Sequence, residues 1–142
     1  MKLRNICVAA VLSFSVIGCT LSSQNISLYD RLGGESGVDA IVYQLLVNIS
    51  QDPRVFERFN GVDIEKFRAG FAQYICSVSG GDCEYQGDNM QQVHAGHDYT
   101  DTEFNAIVGN LIQAMEHEGV PTRTQNALLR RLAPSYKDVV YQ

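Results

Sequence analysis

The chain has 142 residues, of which 45% are hydrophobic and 19% charged, with a formal charge of −5. Length and composition describe one ordinary folded domain and exclude a disordered or fibrous chain. The acidic balance excludes a protein that holds nucleic acid or an anionic membrane surface by charge alone.

The first nineteen residues differ from the rest. Lys2 and Arg4 precede the apolar run "ICVAAVLSFSVI" (Ile6 to Ile17), which is too short to span a bilayer as a mature helix. A charged start, a short apolar core and a small residue before the break read as a secretory signal over residues 1–18. The break, "VIGC" from Val16 to Cys19, resembles the lipobox of bacterial lipoproteins, in which Cys19 becomes the lipidated first residue after cleavage. Residues 19–27 then form a polar tether, and residues 28–142 the folded domain. Loss of Lys2 and Arg4 takes the formal charge to −7, so lipid rather than surface charge would supply any membrane attachment. The expected location is the periplasm, anchored to a membrane. An ordinary signal that happens to end at a Cys is the simpler alternative.

Export bears on the cysteines. Cys7 leaves with the signal and Cys19 carries lipid, leaving Cys76 and Cys83 as an even pair in a compartment where disulfides persist. A bridge between them is expected; two free thiols, one of them buried, is the alternative.

Through the mature chain the apolar residues recur with helical period. "LYDRLGGESG" makes a first turn and a Gly-Gly corner, and Val38 to Ser50 places Ile41, Leu45 and Ile49 on one face. "QDPRVFERF" reads as a short tight helix with Pro53 in its first turn and Asp52 as cap. Asp63 caps the next helix, which carries Ile64, Phe67, Phe71, Ile75 and Val78 before Gly80-Gly81. Thr100 and Glu103 form a T-x-x-E box opening a helix with Phe104, Ile107, Leu111 and Met115, which ends at Gly119. Pro121 opens a last helix carrying Leu128, Leu129 and Leu132, interrupted at Pro134. No stretch alternates with period two, so the domain is all-helical, with about five or six helices.

The chemistry concentrates in "NMQQVHAGHDYTD" (Asn89 to Asp101), which holds His94 and His97. Imidazole is the commonest metal ligand, and one histidine suffices for haem because the porphyrin supplies four nitrogens. Zinc needs three or four protein ligands, and His94, His97 and His117 with Glu116 and Glu118 make only a loose set. His97 beside Asp98 reads as a partly exposed polar residue, and His117 as a solvated helix-end residue. His94, four residues after Met90, points inward and needs a partner. Spacing leaves ligand and satisfied core histidine equally open.

From Leu28 to Val140 the chain resembles the group I truncated haemoglobins. The resemblance rests on "LYDRLGG", "DPRVFERF", Gly80-Gly81, "YQGDNMQQVHAGH", the capping box and "GVP". It implies a globin-like two-over-two helical sandwich around haem b. His94 would be the proximal ligand through Nε2, with its other nitrogen donating to a backbone carbonyl. Phe59 would pack on the haem face, Tyr85 and Met90 at its edge, and Arg68 against a propionate. Phe67 and Phe71 would line the distal side with Leu45 and Leu46, which stand where many group I members carry a Phe-Tyr pair. Tyr43 and Gln73 are the nearest substitute donors for that missing hydroxyl. The implied partners are a diatomic gas (O2, CO or NO) and a reductase. The alternatives are nitric-oxide detoxification as a dioxygenase, and a cofactor-free helical lipoprotein acting as an adaptor.

Overall fold

The computed structural model describes residues 26–142. The expected signal, the expected lipidation at Cys19 and nearly all of the expected tether fall outside these residues.

Seven α-helices follow in order among the described residues: α1 (Leu28–Arg31), α2 (Gly34–Ser50), α3 (Ile64–Ser79), α4 (Met90–His94), α5 (Asp101–His117), α6 (Thr122–Leu132) and α7 (Tyr136–Val139). Single turns of 3-10 helix occupy Phe56–Phe59 and Ala133–Ser135. The described residues contain no strand, only an isolated parallel bridge between Tyr99 and Val140.

Local chemistry sets most boundaries. The Asp63 carboxylate accepts the Lys66 N–H at 3.0 Å and starts α3. Gly80 ends it in the left-handed conformation, φ 80°, which glycine enters without a Cβ penalty. The Thr100–Glu103 box opens α5 as expected. Two expectations shift. Helix α2 begins at Gly34 rather than near Val38, because packing holds a glycine-rich turn that propensity disfavours. Pro53 lies in a turn ahead of the 3-10 segment, and Asp52 caps no helix. Its carboxylate accepts the Arg54 N–H, pairs with the Arg54 guanidinium at 2.6 Å and accepts the Asn110 amide at 2.8 Å. Those bonds hold the Asp52 carboxyl well below the usual carboxylate range, against its burial. Pro121 opens α6 from its N-cap position, as expected.

The core lies where α2 meets α3 and α5. Val38, Ile41, Val42, Leu45 and Ile49 of α2 are buried against Ile75, Ala106, Leu111, Ala114, Met115 and Leu128. Each large side chain there contributes about 1.5–3 kcal/mol by leaving water. With α6 packed on both α3 and α5, the four long helices form the expected all-α sandwich. The apolar stripe of α3 divides in two. Ile75, Cys76 and Ser79 are buried, while Phe67 and Phe71 are only half-buried on a neighbouring face. Ile64, expected in the stripe, is exposed.

Candidate functional site

That second face of α3 continues into a row of aromatic rings. Phe59 meets Phe67 edge-on at 5.3 Å between centroids, and Phe67 stacks on Phe71 at 5.7 Å. Phe71 stacks on Tyr74 at 6.4 Å, and Tyr74 meets Tyr85 edge-on at 5.4 Å. All five are half-buried, unlike the closed core behind them. The row is an apolar wall that begins before α3 and ends in the loop after it.

Helix α4 follows this wall in the chain and packs against α7. Asn89 and Gln92 cap it reciprocally, each side chain bonding the other's backbone N–H. The segment is tied to the wall at both ends. Arg58, beside Phe59, donates from Nη1 to the His97 carbonyl at 2.9 Å and forms a two-pronged pair with Glu103 at 2.5 and 3.0 Å. At the other end Cys76 is disulfide-bonded to Cys83, with Cα atoms 6.3 Å apart, inside the usual range. Gly81 follows so closely that a Cβ there would lie 2.4 Å from the Cys76 sulfur. At Gly87 an added Cβ would come within 2.4 Å of the Tyr85 hydroxyl, so that end of the ring would have to shift. Met90, Tyr74 and Tyr85 share a cavity of about 400 Å³ with Arg131 and Lys137.

His94 ends α4. Its Nδ1 lies 2.7 Å from the Met90 carbonyl oxygen. A carbonyl only accepts, so Nδ1 carries the proton and Nε2 presents its lone pair. Burial holds the imidazole pKa below its ordinary value, with His97 adding to that and the Met90 bond opposing it. The ring is therefore neutral near pH 7, the state in which imidazole binds metal. The other histidines do not converge on it as a cluster: His117 bonds Glu118 at the far end of α5. Among the described residues no three His, Cys, Asp or Glu side chains gather as a metal site.

The remaining expected residues fall as follows. Leu45 is buried in the core and Leu46 half-buried beside it. Arg68 pairs with Asp39 of α2 at 2.9 and 2.5 Å and lies 5.2 Å over the Tyr43 ring, on the α2 side of α3. Tyr43 is exposed beneath it. Gln73 accepts the Gln86 N–H at 3.3 Å. Tyr74 was not among the expected residues, although its position three after Phe71 continues the ring spacing; its hydroxyl is bonded to Ser135 at 2.8 Å. Arg58 and Tyr99 also went unanticipated: Arg58 reaches His97, Tyr99 and Glu103 across 39 to 45 residues of sequence, and the Tyr99–His94 ring contact carries no periodic signal.

One oriented imidazole and an aromatic wall within an all-helical fold are the groups that a globin brings to haem, the protein supplying a single nitrogen ligand to a flat apolar cofactor. This chain belongs to the bacterial-like globin family, whose profile matches residues 27–140. It is 30% identical over 108 residues to the group 1 truncated haemoglobin GlbN of Mycolicibacterium paratuberculosis, covering 76% of this chain and 79% of that protein. It is 30% identical to GlbN of a Nostoc species over 75% of this chain and 90% of the relative. Among solved structures, truncated haemoglobin from Tetrahymena pyriformis in its Fe(III) form superposes with a TM-score of 0.79 at 26% identity. That match covers 82% of this chain and 99% of the other. The two-over-two haemoglobin of Synechococcus sp. PCC 7002, in a cyanomet state with covalently attached haem, gives 0.75 at 25% identity, covering 80% and 98%. Membership implies haem-based binding of a diatomic gas.

Proposed function

We propose that this protein binds haem b between the aromatic wall and α4, through Nε2 of His94, and takes up a diatomic gas at a ferrous iron with no sixth protein ligand. The residues present fit that group. The wall of Phe59, Phe67, Phe71, Tyr74 and Tyr85 offers apolar area matched to a porphyrin face, and Met90 lies at its edge with Tyr85. Nε2 has no hydrogen-bond partner among the described residues, whereas Nδ1 is oriented by the Met90 carbonyl. Arg131 and Lys137, beside Tyr85, can meet propionates without breaking a bond. Arg68 serves a propionate only by leaving Asp39.

Haem supplies the gas-binding iron; the chain decides how polar its surroundings are. The observation that carries the reading is where the candidate distal donors stand, none of them directed at the face of Phe67 and Phe71. Tyr43 lies outside under Arg68, Gln73 serves the Gln86 backbone, and Tyr74 is bonded to Ser135. Leu46, Phe67 and Phe71 remain, and none can ligate iron or donate a hydrogen bond. A polarised ligand such as O2 then forgoes about 1–3 kcal/mol of stabilisation that CO needs less.

Flash photolysis and stopped-flow kinetics on the reduced holo-protein test this. Ready CO binding, rapid O2 dissociation and no change in Tyr43→Phe are expected. A slow O2 release that accelerates in Tyr43→Phe would show a distal donor at work. The chain is further proposed to act outside the cytoplasm as a lipoprotein anchored through Cys19, a reading supported by the "VIGC" sequence and by the Cys76–Cys83 bridge. A separate reductase would keep the iron ferrous.

A further inference from the structure

We propose that Tyr99 is the positioning residue for the His94 imidazole, its ring held against the imidazole by Arg58 on one side and by the strained segment Val140 to Gln142 on the other. The inference rests on the reading that His94 ligates haem iron.

The Met90 carbonyl fixes where Nδ1 sits but leaves the imidazole free to rock about that bond. A second contact is needed to set its tilt. Tyr99 supplies one, its ring standing edge-on to the imidazole at 5.7 Å between centroids and 71° between planes. An edge-to-face pair is directional, so the phenol ring acts as a stop rather than as loose filling.

Tyr99 is itself immobilised from two directions. The Arg58 guanidinium carbon lies 5.0 Å from its ring centroid, and Arg58 is pinned by Glu103 and by the His97 carbonyl. On the backbone side, the Tyr99 carbonyl accepts the Tyr141 N–H at 2.9 Å within the bridge to Val140. The Gln142 carbonyl accepts both the Gly96 and the Asp98 N–H groups, at 3.0 and 3.1 Å. Asp98 and Tyr141 are the non-glycine residues with positive φ among those described, at 47° and 55°, and both flank this bridge. Such backbone persists only where surrounding contacts over-determine it, and here the over-determined point is the residue touching the imidazole. None of these contacts uses the Tyr99 hydroxyl; the ring alone does the positioning.

The consequence is functional. With Leu46, Phe67 and Phe71 proposed for the distal side, those side chains offer no hydrogen bond to a bound gas. The tilt of His94 sets how strongly Nε2 holds the iron, so this chain tunes its haem from the proximal side.

Resonance Raman spectra of the gas-free ferrous holo-protein read that tilt through the iron–imidazole stretch, and transfer of haem to excess apomyoglobin reads the strength of retention. Tyr99→Phe should match the wild type in both. Tyr99→Leu should give a lower, broader stretch and about tenfold faster haem loss, with helical circular dichroism unchanged. An unchanged stretch in folded Tyr99→Leu, or an equal shift in Tyr99→Phe, would overturn the proposal. If Tyr99→Leu does not fold, Arg58→Met leaves the ring but frees it, and should move the band in the same sense by less; an unmoved band there overturns the proposal too. Failure of the underlying reading looks different: the wild type itself would show no iron–imidazole band.

Discussion

Glu103→Gln removes one charge and leaves the fold's other contacts in place, because Gln at that position can still close the capping box with Thr100. In the structure Glu103 receives two bonds from Arg58, at 2.5 and 3.0 Å, and two from Thr100, both at 2.8 Å. These bonds, those of Arg58 foremost, lower its pKa from 4.5 to about 2. Such a shift corresponds at face value to about 3 kcal/mol of stability. Arg58 is 34% exposed and Glu103 17%, so water screens the pair, and about 1–2 kcal/mol is the expected loss in the variant at neutral pH. The sign follows from the direction of the shift. A carboxyl with a depressed folded-state pKa stabilises the fold fully above its unfolded value of about 4.5, and that contribution disappears as the pH falls through about 2. Urea unfolding of wild type and Glu103→Gln, at neutral pH and at several steps down to about pH 2, should show a deficit that narrows with acid. A variant as stable as wild type at neutral pH, or a deficit that stays constant into acid, would refute the reasoning.

Other expectations follow from the same coordinates. Leu46→Tyr should restore a distal hydroxyl and slow O2 dissociation by about 5- to 150-fold, the equivalent of 1–3 kcal/mol, with a smaller effect on CO; equal effects on both gases would show that the new side chain acts by bulk. Opening the Cys76–Cys83 loop, whose cysteines are seven residues apart, as Cys76→Ser with Cys83→Ser should cost about 2.5 kcal/mol in urea unfolding. Alkylation of both thiols in native protein recovered from the periplasm would mean that no bridge forms there.

The helices were legible because their apolar residues recur every three or four positions and their caps are local. Asp63, Gly80 and the Thr100–Glu103 box each act within a few residues of themselves. Helix α4 was not anticipated, since five residues are too few to show a period, although Asn89 and Gln92 spell a capping box. The role of Asp52 was illegible for another reason: one of its partners, Asn110, lies 58 residues away. Arg58 was hidden likewise, because its contacts with His97 and Glu103 form only once the chain has folded back. Periodicity also could not separate the two faces of α3. Phe71 and Ile75 obey one spacing, yet Ile75 closes the core and Phe71 belongs to the aromatic wall. The resemblance to truncated haemoglobins implied a backbone carbonyl for the second His94 nitrogen, and Nδ1 does lie 2.7 Å from one, but that it is the Met90 carbonyl was not legible.

The central claim is that Nε2 of His94 holds iron, and a hemin titration followed by absorption spectroscopy tests it most directly. The wild-type protein should give a saturable Soret band that shifts on reduction and again with CO, while His94→Ala, folded by circular dichroism, should lose the bands of an imidazole-ligated ferrous haem. A wild-type protein that stays colourless, or a His94→Ala variant with an unaltered spectrum, would contradict the account and leave a helical domain whose imidazole serves only its own fold.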